Sequence, residues 1–113
     1  MQQSSGDKVL WHSVLISFRD TAPDAVKQDI YERYQTLGKD CGGQGAGILF
    51  WQVDWNLDQR KKVHLVEFAI FRDNATFQAF RAHPKHREIT DILFKVADWQ
   101  VGDLLVPRTL VSP

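Results

Sequence analysis

One cysteine, one methionine and no net charge are what this 113-residue sequence makes do with. Cys41 has no second cysteine to pair with, so the fold cannot rest on an internal disulfide. It stands in "KDCGGQGAG", in no catalytic arrangement with a histidine, and a nucleophilic role is not expected. Lysine plus arginine and aspartate plus glutamate both number 14, so there is no basic surplus of the kind a nucleic-acid partner requires. No apolar run approaches the roughly 18 residues of a spanning helix, and the opening "MQQSSGDK" has no apolar segment of a signal peptide. No membrane partner is expected, and the expected address is the cytoplasm. Repeats and internal linkers are lacking too.

What is present fits one small domain. Aromatic residues reach 12%, rich enough to suggest an apolar pocket or a packed interface besides a core. After a polar tail over residues 1–8, "VLWHSVLISF" alternates with His12, Val14, Ile16 and Phe18 on one face, a period-two strand. In "DTAPDAVKQDIYERYQTLGKD", Pro23 suits an early helical position, and Val26, Ile30, Tyr34 and Leu37 form an amphipathic stripe that ends near Gly38. The glycine-rich "CGGQGAG" joins helix to strand. A phosphate loop needs strand before helix, so this stretch is read as a connector.

"ILFWQVDWNL" is expected as a second strand with Trp51, Val53, Trp55 and Leu57 on one face. "VHLVEFAIF" is a third, with His64, Val66, Phe68 and Ile70 together. "RDNATFQAFRAH" reads as a short helix capped by Asp73 or Asn74, and "PKHREITDILFKVAD" as another, with Ile89, Leu93 and Val96 buried. "WQVGDLLV" completes the order as a fourth strand, with residues 107–113 left as a C-terminal extension.

The order β-α-β-β-α-β, its second helix broken at Pro84, is the α+β ferredoxin-like plan: a four-stranded antiparallel sheet with helices on one face. Both faces of the first and third strands are substantially apolar, whereas a sheet open to water alternates more sharply. The second face is therefore expected to be covered by another copy, as a homodimer.

Four histidines are present, and two of them crowd into "AHPKH". His83 stands just before Pro84, where a side chain caps a helix start. His86 falls in the first helical turn, where the helix dipole lowers an imidazole pKa and leaves the neutral form that a general base needs. Metal binding is the competing use, with His12 and His64 as further ligands, but no signature such as HExxH accompanies the pair. No metal and no cofactor are expected.

"WHSVLISF", "VHLVEFAIF" and the aromatic-x-x-His-Pro-x-His run in "FQAFRAHPKHREI" resemble the stress-responsive dimeric α/β-barrel (Dabb) family over about residues 9–106. The resemblance implies a homodimer whose two sheets pack into a barrel, with a ligand cleft between sheet and helices. Most members have no assigned chemistry. A plant polyketide cyclase of the family closes a linear polyketide by aldol condensation without metal or cofactor. Its catalytic histidine falls on His86, and its strand histidines fall on His12 and His64. Its tyrosine falls on Phe80, which has no hydroxyl, so Tyr31, Tyr34 or Asp103 would have to do that work.

The resulting expectation is a small hydrophobic or aromatic ligand in a cleft carrying His12, His64 and His86, lined by Phe18, Phe68, Phe77, Phe80 and Tyr34. If catalytic, the chemistry is that of a cofactor-free cyclase, lyase or isomerase acting beside a carbonyl. The alternatives are a non-catalytic stress-related binding protein and a cofactor-independent monooxygenase.

Overall fold

The computed structural model describes residues 8–110. β1 (Lys8–Phe18) leads into α1 (Asp24–Asp40), then a 3₁₀ turn (Gly43–Ala46) and β2 (Ile48–Trp55). β3 (Leu65–Phe71), α2 (Asn74–Ala82), α3 (Pro84–Val96), β4 (Ala97–Pro107) and a short 3₁₀ turn (Arg108–Leu110) complete the order. Most of the expected tail, residues 1–7, and residues 111–113 of the extension lie outside the described residues. The strands form one antiparallel sheet in the order β2-β3-β1-β4, and the helices pack on one face. This is the ferredoxin-like arrangement read from the sequence.

Period-two alternation sets the core. Val14, Ile16 and Phe18 of β1 meet Leu65, Ala69 and Phe71 of β3 beneath Ile30, Leu37, Ile89 and Leu93 of the helices. β2 needs a bulge to join them. Ile48 pairs with Phe71 and Phe50 with Ile70, so the extra residue sends Ile48 inward and Phe50 outward.

Several boundaries differ from expectation. Pro23 caps α1 from outside, and the helix runs past Gly38 to Asp40. Gly38 does not stop the helix; it is a packing site, since a Cβ there would lie 2.7 Å from Cγ of Trp51. α3 ends at Val96, two residues short of the expected end, and β4 takes over at Ala97.

At α2 the cap is Asp73. The Thr76 N–H donates to Asp73 Oδ1 at 2.8 Å, and the Asp73 N–H donates to Thr76 Oγ1 at 3.2 Å. Gly47 presses against this cap with φ +88, and a Cβ there would lie 2.5 Å from Thr76 Cγ2. Gly47→Ala would add a left-handed alanine and disturb the cap. We expect about 2 kcal/mol of lost stability, read by urea unfolding; a change under about 0.5 kcal/mol would show that the turn relaxes freely.

Among the described residues, no helix lies over the sheet's other face. Trp11, Val66 and Phe68 are half-buried there, and Leu15, Phe50 and Leu104 are exposed. Trp11 packs edge-on against Phe68 at 5.6 Å, and its buried Nε1 has no hydrogen-bond partner among the described residues.

Candidate functional site

Where β1, β3 and β4 pass beneath α1 and the α2–α3 joint, a cleft of about 290 Å³ opens. Its polar groups include His12, Tyr34, Glu67, Arg81, His86 and Asp103, and its apolar walls include Phe77 and Trp99.

His12 and Asp103 are direct cross-strand partners, which brings His12 Nδ1 to 2.6 Å from Asp103 Oδ1. Glu67 stands opposite Val14, one pleat along β3, and its Oε2 lies 3.3 Å from His12 Nε2. That approach forms an ion pair but is not aligned as a hydrogen bond, so Oε2 is buried with no hydrogen-bond partner among the described residues. Burial alone would push the His12 pKa down. The two carboxylates outweigh it and raise the pKa, which favours the protonated ring. Glu67 is pushed up by burial, against the opposing pull of His12.

His86 goes the opposite way. The Pro84 break starts α3 at this point, and His83 caps it by accepting the Lys85 N–H at Nδ1 over 3.0 Å. His86 in the first turn faces the cleft, with the Phe80 ring edge-on at 4.7 Å. Burial first, then the positive charges of His12 and Arg81, lower its pKa to about 4. Its imidazole is neutral at pH 7. Tyr34 also lines the cleft, and its hydroxyl makes no hydrogen bond among the described residues. Burial and the charge of Glu67 hold its pKa well above 10, so it remains a phenol and a donor.

The expected site residues thus separate. His12, His86, Tyr34 and Phe77 share one cleft, with the His12 and Phe77 rings 4.8 Å apart. Phe80 sits behind His86, sealed among Phe71 and Trp51, instead of on the cleft wall. His64 is not in the cleft. It precedes β3, its N–H donates to the Ile16 carbonyl, and its ring stands by Phe18 at the far end of β1. Phe18 goes with it. Phe68 is on the opposite face of the sheet, beside Trp11 and Phe50, because strand alternation turns it away from Glu67 and Ala69. Sequence reasoning missed Glu67 and Arg81 and weighed Asp103 only as a stand-in for a hydroxyl. The signal for Glu67 was available, as the one acid in the inward series Leu65, Glu67, Ala69, Phe71.

Among the described residues no three histidine, cysteine, aspartate or glutamate side chains are grouped to hold a metal ion. Cys41 is buried under the α3 start, and burial raises its thiol to about 11 despite the His86 N–H beside it. No helix among the described residues is long and apolar enough to cross a membrane.

An α+β ferredoxin-like sheet with a cleft of histidines and carboxylates under its helices defines the class of protein. Residues 10–106 match the stress responsive A/B barrel domain, and the chain belongs to that family, Dabb. Comparison with curated proteins finds no match by sequence. Solved structures agree on the fold. A dimeric ferredoxin-like protein of unknown function from Thermobifida fusca is 15% identical over 88% of this chain and 92% of its own, with a TM-score of 0.76. The hydroxynitrile lyase of Passiflora edulis is 15% identical over 87% and 93%, with a TM-score of 0.72. SnoaB, a cofactor-independent oxygenase from Streptomyces nogalater, is 15% identical over 92% and 97%, with a TM-score of 0.63.

Proposed function

We propose that this protein is a cofactor-free acid–base catalyst, a cyclase or lyase acting on a small carbonyl compound, with His86 as the base. One observation carries the reading: two imidazoles line one cleft whose surroundings push their pKa values in opposite directions, His12 up beside two carboxylates and His86 down by burial. Separated pKa values of this kind assign acid and base roles. His86 removes a proton beside the carbonyl, and the Tyr34 phenol donates to the oxygen as negative charge develops on it. Both His12 nitrogens face carboxylates, so His12 acts through its charge and not as a donor to substrate.

A base with a pKa of about 4 is weak and demands an acidic C–H. A 1,3-dicarbonyl, the repeating unit of a polyketide, has one. The test is exchange of the central protons of benzoylacetone into D₂O, followed by NMR with the buffer rate subtracted. Protein-dependent exchange supports the reading. Buffer-rate exchange with bound benzoylacetone favours the non-catalytic binding protein, to which Phe80, lacking a hydroxyl beside His86, lends weight.

We further propose that the uncovered sheet face carries a second copy of the chain. Structural neighbours described as dimeric share the fold. The apolar patch around Phe50, Phe68 and Leu104 needs cover. Light scattering is expected to give twice the chain mass, and Phe50→Lys to halve it. A monomeric parent would overturn this reading.

A further inference from the structure

His64 and Phe18, which the His86 cleft leaves aside, belong to a second cavity of about 490 Å³. Phe18 is six residues beyond His12 along β1, about 20 Å at roughly 3.3 Å per residue. Two features of this cavity point to the same ligand.

The first is a fixed aromatic floor. The Phe18 and His64 rings lie 5.9 Å apart at 29°, and Trp55 stands 6.4 Å from the buried Phe18 at 54°, so the indole is the ring face left open. Tyr31 stacks flat on Trp55 at 4.8 Å and 4°, which holds the indole while it stays 38% exposed. The second is charge of one sign. Lys27, Lys61 and Lys62 line the cavity and no carboxylate does. Lys27 has only a loose partner, Asp24 at 3.7 Å. Lys61 and Lys62 make no ion pair among the described residues, because the nearby Asp58 is held by Arg60 at 2.8 Å.

The turn presenting these lysines is itself braced. Asn56 Nδ2 donates to the carbonyls of Asp58 and Val63, and Asn56 Oδ1 accepts the Asp58 N–H. His64 Nδ1 accepts the Phe18 N–H at 2.9 Å, which leaves Nε2 as the ring's donor.

We infer that this cavity binds a flat aromatic anion, an aryl carboxylate or aryl phosphate, with its ring on the exposed Trp55 indole and its acid group at Lys61, Lys62 and the His64 Nε2–H. Stacking supplies contact area and the lysines select charge. The site stands independently of the His86 chemistry.

The test is titration of the ¹⁵N-labelled protein with 2-naphthoate, 2-naphthyl phosphate and neutral 2-naphthol. Saturable shifts below about 1 mM are expected for the anions at the Trp55 indole N–H and the Phe18 and His64 amides, with the His86 amide unmoved. Raising salt from about 0.05 to about 0.5 M should weaken them severalfold. Lys61→Ala with Lys62→Ala, both exposed, should weaken both anions by about 10-fold and leave naphthol unchanged. Tighter phosphate binding would identify the ligand as an aryl phosphate, and tighter naphthoate as an aryl carboxylate. Equal binding of naphthol, shifts gathered at His12 and His86, or no saturable shift would each overturn the inference.

Discussion

Replacing His86 with alanine is expected to slow the proposed benzoylacetone exchange by about 10²–10⁴-fold, the usual contribution of a positioned base, while circular dichroism and chain mass in solution are unchanged. The imidazole is half-buried in the first turn of α3, and its removal gives up only a hydrogen bond to the Arg81 backbone. The substitution should therefore test chemistry and not folding. Equal exchange in the parent and the variant would sink the assignment of the base.

Proton linkage supplies a second readout of the same residue. In the folded chain His86 titrates near pH 4, while the unfolded chain takes its proton near 6.5. Between those values the unfolded state binds more protons, so stability falls as pH drops through the window. The ceiling is about 3 kcal/mol, reduced by the ring's partial contact with water. His12 opposes this. Its raised pKa gives stability that is present below 6.5 and is lost as pH rises through its folded value. His86→Ala should flatten the acid side of a urea-midpoint profile and leave the alkaline side alone. In the exchange assay the parent should keep a flat rate above about pH 5 and lose it near 4.

The fold was legible because its signals are local and repeated. Alternation gave β1 its faces, the Ile30, Tyr34 and Leu37 spacing gave α1, and Pro84 marked the break that aims His86 at the cleft. The site was legible only in part. Resemblance placed His64 beside His12, yet the strand begins one residue later, and antiparallel pairing sets Leu65 against Ile16, four residues from His12. A residue's place along a strand depends on register, which no short motif records. Glu67 was overlooked for a different reason. A carboxylate in an inward series looks like an exception to the pattern until its partner from another strand is known, and His12 becomes that partner only in the folded sheet.

That pairing carries the second large effect. His12→Phe should destabilise the protein by about 3 kcal/mol at pH 7, since Glu67 is only 3% exposed and would lose its ion-pair partner. Glu67 already has a raised pKa because of burial, so without His12 it should take up a proton more readily as pH falls, which offsets part of the deficit. Glu67→Leu should cost less. His12 would keep Asp103 at 2.6 Å, and the side chain of Asp103 is 36% exposed and so shares its charge with water. The double variant removes both buried charges and fills their space with apolar groups, and it is expected near or above parental stability. Urea midpoints at equal protein concentration measure the cycle, because the proposed association would also contribute to stability. A double variant as unstable as the two singles summed would mean that the groups act independently, and the charged state of His12 in the proposed mechanism would then need another source.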